Sequence, residues 1–266
     1  MCLIVIAWQQ HSEYPLIVAA NRDEYYDRPT ELAHVWQQPP GLLTTKILAG
    51  KDLSAGGTWL GINDKGKFAA VTNYREGIPE TQPHSRGELT TDYLNSSMPP
   101  ERYAQKCLNS GNQYNGYNLI LNEGDRLFYC SNRYPDIKEL PPGIYTLSNH
   151  LLNSPWPKSI HVKDELIALL SSGSASPSIP TNPQPINIDD IISCLHRREP
   201  FADEYLPDTG VGLEIERMLS PPFILSPDYG TRSTTVVLRD NMGKTVFVEQ
   251  SYESGGLTGE RKVFDF

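Results

Sequence analysis

Residues 1–24 read Met1-Cys2-Leu3-Ile4-Val5-Ile6-Ala7-Trp8-Gln9-Gln10-His11-Ser12-Glu13-Tyr14-Pro15-Leu16-Ile17-Val18-Ala19-Ala20-Asn21-Arg22-Asp23-Glu24. Two short apolar runs, Leu3–Trp8 and Pro15–Ala20, flank the polar stretch His11–Tyr14. Runs of this length, rich in Val and Ile, suit strands buried on both faces. The polar stretch between them predicts a β-hairpin. A dense polar block, Asn21 to Glu24, follows the second run directly, so it falls at one end of the sheet, beside the start of the first strand.

Outward from that hairpin the pattern repeats and then changes. Thr58–Ile62 and Lys67–Asn73 flank Asn63-Asp64-Lys65-Gly66, a second hairpin whose glycine suits a tight turn. Arg86–Asn95 and Glu101–Asn109 predict short helices, the second putting Tyr103 and Cys107 on one face. Strands resume at Asn118–Asn122, Leu127–Ser131 and Ile144–Ser148. Val162, Leu166, Leu169 and Leu170 then share a helical face, as do Ile188, Ile191, Ile192 and Leu195 behind the N-cap Asn187. The Ser- and Pro-rich stretch between them, about 171–187, predicts a surface loop. Strands close the chain at Ser233–Leu238, Thr245–Gln250 and Lys262–Phe266. Strands at both ends with paired helices between them predict an α+β class in one domain over residues 1–266, with no repeating βαβ unit.

The 266 residues carry a net charge of -9, which does not steer the chain toward nucleic acid or an anionic membrane surface. No segment approaches the ~18 consecutive apolar residues of a membrane span. The apolar start, Leu3–Ala7, is too short for a signal-peptide core. The 4 cysteines are scattered without a CxxC pair and the 6 histidines lack HxxxH spacing. Together these predict a cytoplasmic protein with no structural metal and no cofactor. Gly210-x-Gly212 is followed by Ile215 where a dinucleotide fingerprint needs a glycine. His196-Arg197-Arg198 reads as cations offsetting a helix C-terminal dipole.

Chemistry concentrates at strand ends. Initiator methionine is normally trimmed when the next residue is small, which leaves Cys2 with a thiol and a free α-amine. That amine titrates near ~7.7–8.0, low enough to act as a base. Nucleophile and base then sit on one residue. Arg22 favours a thiolate and Asp23 can orient the amine, from the strand beside Cys2. Asn73 in Thr72-Asn73-Tyr74-Arg75, and Asn149 in Ser148-Asn149-His150, each end a strand and can donate a side-chain N–H to an oxyanion.

These residues resemble the NRDE proteins, also called the transport-and-Golgi-organisation family. The likeness runs through Met1-Cys2, Ala20-Asn21-Arg22-Asp23-Glu24, Gly56-Gly57-Thr58-Trp59-Leu60-Gly61, Ala70 to Arg75, Leu147-Ser148-Asn149 with Pro155-Trp156 and Lys158, and Tyr229-Gly230-Thr231-Arg232-Ser233-Thr234. The resemblance implies an αββα sandwich of two mostly antiparallel sheets between helix layers, of the N-terminal nucleophile hydrolase type. It implies distant similarity to choloylglycine hydrolases and penicillin V acylases. Carried over, it makes Cys2 the nucleophile, Asp23 the residue contacting its amine, and Asn73 with Asn149 the oxyanion donors. Where the acylase pattern has an arginine before the aspartate, this chain has Ala20, and an arginine stands at Arg22 instead. Arg232 is the candidate for the acylases' late arginine. Asn21, Glu24, Trp59, Tyr74, Arg75 and Arg232 are the expected substrate contacts. The implied activity is hydrolysis of a non-peptide amide in a small or lipid-like molecule. The alternative is a non-catalytic binding or trafficking protein, for haem or another hydrophobic metabolite, on the same fold.

Overall fold

The computed structural model describes residues 2–36, 45–76, 81–172 and 186–266. In chain order its strands and helices are β1 (Cys2–Trp8), β2 (Leu16–Tyr25), β3 (Thr30–Val35), β4 (Ile47–Asp52), β5 (Leu60–Asn63), β6 (Lys67–Asn73), α1 (Arg86–Asn95), α2 (Pro100–Asn109), β7 (Tyr117–Glu123), β8 (Arg126–Ser131), β9 (Tyr134–Glu139), β10 (Gly143–Leu147), α3 (Pro157–Ser172), α4 (Ile188–Ser193), α5 (Leu213–Leu219), β11 (Tyr229–Arg239), β12 (Thr245–Tyr252) and β13 (Thr258–Asp265). One sheet has the order β10-β1-β2-β11-β12-β13 and the other runs β3-β4-β5-β6-β7-β8-β9. Every strand pairing is antiparallel.

Strand alternation sorts the apolar residues into layers. Ile4, Ile6, Trp8, Leu16, Val18 and Ala20 face the second sheet and meet Ile62, Phe68, Ala70 and Ile120 there. Leu3, Val5, Ala7, Ile17 and Ala19 face the other way, onto Val162 and Leu166 of α3 and Ile191 and Ile192 of α4. A third cluster lies between the second sheet and the helices α1 and α2, around Tyr93, Leu94, Tyr103 and Cys107. Two sheets between two helix layers is the expected αββα sandwich. The apolar runs of β1 and β2 are continuous because both faces of those strands are covered.

The sequence did not predict β3, β4, β9 or α5. β3 and β9 are edge strands whose side chains are mostly half-buried or exposed. Without a buried face they show no apolar alternation. α5 is only seven residues long. The surface loop expected at 171–187 falls largely outside the described residues; Ser171 belongs to the end of α3, and Asn187 caps α4, its side chain accepting from the Asp189 N–H. Among the described residues no helix is long and apolar enough to cross a membrane.

Helix α1 is held against the second sheet's start in a way that matters for the site. Ser85 and Glu88 form a capping box at its N-terminus. Gly57 and Gly87 bring the loop before β5 against that same turn. A Cβ added at Gly57 would stand 2.6 Å from the Gly87 carbonyl carbon and 2.8 Å from its oxygen. Gly57→Ala therefore forces α1 away from the loop and is expected to cost about 1–3 kcal/mol, the range of an overpacked site. Gly66→Ala is the control. It sits at φ +80° with nothing within 4 Å, so only the left-handed conformation is penalised, by about 1 kcal/mol. Urea denaturation of both variants checks the order; equal losses would mean that the helix does not depend on the close approach.

Candidate functional site

Cys2 is the first residue of β1 and pairs directly with Arg22 of β2. Direct antiparallel partners share a face, so the thiol and the guanidinium both point between the sheets. There, beyond the apolar core, a cavity of about 310 Å³ opens at the sandwich end. Its wall includes Cys2, Arg22, Asp23, Glu24, Trp59 and Asn73. Arg232 joins them through a bulge. Thr231 opposes Asp23 and Ser233 opposes Arg22, which leaves Arg232 as the extra residue in β11. Its Nη1 donates to the Tyr25 and Arg28 carbonyls at 2.8 and 3.3 Å.

The expected oxyanion pair divides into two roles. Asn73 lines the cavity. Asn149 is fully buried outside that lining and donates Nδ2–H to the Asn73 carbonyl at 3.1 Å. Its own carbonyl accepts from the Arg75 N–H at 2.7 Å. Thr72 Oγ1 donates to the Ser148 carbonyl at 2.6 Å, and Ser148 Oγ to the Cys2 carbonyl at 3.2 Å. These bonds stitch the two sheets together beside the first residue of β1.

Asp23 follows Arg22, so its side chain lies on the opposite face, toward the helices. It accepts from Thr231 Oγ1 at 2.7 Å, and its main-chain carbonyl accepts from the Tyr229 hydroxyl at 3.0 Å. Burial raises its pKa, while nearby Lys158 and the Thr231 hydrogen bond pull it back. Lys158, from the first turn of α3, is also buried and donates to the Leu219 carbonyl at 3.0 Å. Burial pushes it down to about 8, against the attraction of Asp23, Cys2 and Glu216.

Three expected contacts lie away from the cavity lining. Asn21 donates Nδ2–H to the Leu195 and Pro222 carbonyls and accepts from Thr234 Oγ1 at 2.6 Å. Its parity with Asp23 sends it to the helix side, where it ties down two loops. Arg75 forms a buried ion pair with Glu216 at 2.6 Å and stacks 4.8 Å from the Trp156 ring centre. Tyr74 rests against the His150 ring at 4.9 Å.

The thiol also departs from expectation. Cys2 is pushed up to about 11, because burial outweighs the terminal ammonium and Arg22, and Asp23 and Glu24 add to the upward push. Cys107 is pushed up to about 12, Cys194 to about 11 and Cys130 well above its usual range, all by burial first. Cys2 differs from the other three in lining the cavity.

Sequence reasoning missed Arg86, Thr58, Arg28 and Glu249, which also line the cavity. Glu249 is buried and accepts from the Ala33 N–H at 2.7 Å, joining β12 to β3 across the sandwich. One signal could have found Arg86. It is a cation at the first position of a helix, where the dipole disfavours positive charge.

Residues 1–254 match the family model described as Transport and Golgi organisation 2. A Transport and Golgi organization protein 2 homolog of Homo sapiens is 35% identical over 284 residues, covering 100% of this chain and 99% of its own length. The Mus musculus Transport and Golgi organization 2 homolog is 33% identical over 271 residues, 94% of this chain and 93% of its own. Among solved structures, the penicillin V acylase of Agrobacterium tumefaciens aligns with a TM-score of 0.54 at 14% identity, covering 100% of this chain and 86% of that one. That likeness is one of fold, two stacked antiparallel sheets between helix layers.

The Lys158 environment gives a pH signature. Between about 8 and the ordinary 10.5, the unfolded lysine keeps a proton that the folded one has released. The unfolded state then binds more protons, so this group makes stability rise with pH across that window. The charges facing Lys158 are Asp23, Cys2 and Glu216, with Arg75 opposing. Relative to Lys158→Met, the wild type should gain on the order of 1–3 kcal/mol in unfolding free energy between pH 8 and 10.5. Chemical denaturation of both proteins at several pH values reads the difference; parallel curves would contradict a depressed lysine.

Proposed function

The chain belongs to the Transport and Golgi organisation 2 family, and from that premise we propose that it is a cysteine N-terminal nucleophile amide hydrolase acting on a small molecule. The observation that carries the reading is the Cys2–Arg22 pair at the wall of a polar cavity. Removal of Met1 gives Cys2 an α-amine. In the antiparallel register, Asp23 sits one residue beyond the partner of Cys2, level with that amine.

A thiol resting near 11 is not a preformed thiolate. The proton leaves during attack. The α-amine takes the Sγ proton as Sγ bonds to the substrate carbonyl carbon, and Asp23 favours the ammonium that forms. Asn73 donates to the developing oxyanion, and Asn149 holds the Asn73 backbone in place. The ammonium then protonates the leaving nitrogen as the C–N bond breaks, which leaves a thioester. Water attacks that thioester with the amine again as base. The acid departs and the thiol is restored.

A second reading has one observation in its favour. The raised thiol pKa suits a carrier that never uses Cys2. Against a haem or other hydrophobic ligand stand the charged groups of the wall, among them Arg22, Glu24, Arg28, Asp52 and Arg86.

Intact mass and acylation separate the two readings. Protein made in its own cytoplasm should lack Met1. p-Nitrophenyl acetate should leave an acetyl group on the Cys2 peptide and not on those of Cys107, Cys130 or Cys194. Cys2→Ser should slow the nitrophenol burst by ~10²–10⁴-fold, since a hydroxyl is harder to deprotonate. Retained methionine, or a processed protein whose Cys2 is not acylated, would support the carrier.

A further inference from the structure

Four arginines line the cavity, and three have evident structural engagements. Arg28 pairs with Asp52 at 2.7 Å. Arg22 lies 3.7 Å from Glu24. Arg232 holds the main chain of the β2–β3 turn. Arg86 differs. It is half-buried, and among the described residues it has no ion pair. Among the described residues its one hydrogen bond is a long one, from Nη1 to the Gly116 carbonyl at 3.3 Å. A guanidinium carries five N–H donors in a rigid fork, so most of this group's capacity remains open. Burial holds it below the usual arginine range, against the pull of Cys2, Glu24 and Glu76, while Arg28 adds to the downward push.

Among the described residues no carboxylate forms an ion pair with Arg86: Asp52 is held by Arg28, Glu249 by the Ala33 amide, and Glu24 lies near Arg22 and Arg28. The helix end is also served internally, by the Ser85–Glu88 capping box. A cation withdrawn from water with no carboxylate in contact is costly, and an arriving oxyanion offsets part of that cost. Gly57 and Gly87 meet at backbone distance beside Arg86, so the helix turn that presents it is fixed before any ligand arrives.

We propose that Arg86 is the recognition residue for an oxyanion, carboxylate or phosphoryl, carried by the substrate whose amide Cys2 attacks. The inference deepens the hydrolase reading and rests on it for the identity of the reacting group. It narrows the substrate to a small anionic amide, in keeping with a cavity of about 310 Å³.

Alkylation with two near-isosteric reagents tests this without knowing the substrate. Iodoacetate carries the anion and iodoacetamide does not. The ratio of their rates at Cys2, divided by the same ratio for a free cysteine peptide, cancels differences in thiolate fraction. In the wild type it should exceed one by ~10-fold, the worth of one charged hydrogen-bonded contact. Arg86→Gln should return it to about one, and Arg86→Lys should keep part of it. A wild-type ratio of one would overturn the inference while leaving Cys2 a nucleophile. A raised ratio that survives Arg86→Gln would put the anion site elsewhere and overturn it too. If Arg86→Gln does not fold, protection of wild-type Cys2 from iodoacetate by sodium succinate or sodium phosphate decides in its place, with absence of protection overturning the inference. If neither reagent labels Cys2, the hydrolase reading fails, and thermal unfolding decides the anion site alone. Succinate or phosphate at fixed ionic strength should raise Tm in the wild type and not in Arg86→Gln; equal shifts would overturn the site. The stronger of the two anions identifies carboxylate or phosphoryl.

Discussion

The antiparallel register that sets Cys2 against Arg22 is the constraint on which the site depends. β1 and β2 are buried on both faces, one against the opposite sheet and the other against α3 and α4. A slip of one residue would exchange those faces along the whole hairpin. Cys2 and Arg22 would then point at the helices, away from the space between the sheets. The apolar core therefore fixes the chemistry, since the residues that secure the register, such as Ile4, Val5, Val18 and Ala19, carry no reactive group. Polar residues begin where the core ends, and the cavity lies there.

Alternation also separates two electrostatic environments a single residue apart. The inward face carries Cys2, Arg22 and Glu24 toward a cavity open to solute. The outward face carries Asn21 and Asp23 into a buried network with Thr234, Thr231 and Lys158. Charges in that network are costly to bury, so each one is met by a hydrogen bond or an opposing charge. Asp23 is raised and Lys158 lowered by the same cause, loss of water, and each moderates the other. Such an environment holds a carboxylate firmly at the end of β2 without letting it touch the thiol directly.

What could be read from the sequence divides along burial. The hairpin of β1 and β2, the strands β5 and β6, and helix α1 carry strong apolar or capping signals and form where expected, except that β2 runs on past Ala20 through the polar block Asn21–Glu24 to Tyr25, because pairing with β11 continues the ladder there. Edge strands β3 and β9 carry little signal because one face meets solvent and the partner on one side is missing. At the site, Cys2, Arg22, Asp23, Asn73 and Trp59 do come together around one cavity. Asn21 was grouped with its neighbours because sequence adjacency hides parity; alternate residues of a strand face different layers. Arg75 lies past the end of β6, and its partner Glu216 lies 141 positions away, beyond any local pattern. Arg86 went unassigned because a helix start reads as structure, and only the fold brings that turn to the cavity.

The polar wall bears on what the site can hold. A hydrophobic ligand filling this space would strip water from Arg22, Arg86 and Glu24 and return no hydrogen bonds to them. A ligand with a carbonyl, an amide nitrogen and an oxyanion returns those bonds. In the proposed reaction its carbonyl oxygen would meet Asn73, and its anion a guanidinium. That same demand explains why the thiol can rest protonated. A permanent thiolate in this buried position would compete with the substrate for the arginines and would have to be displaced. In the proposed mechanism a neutral thiol would leave the cations open until the substrate arrives, and the α-amine of a processed Cys2 would supply the base only when the carbonyl is in reach.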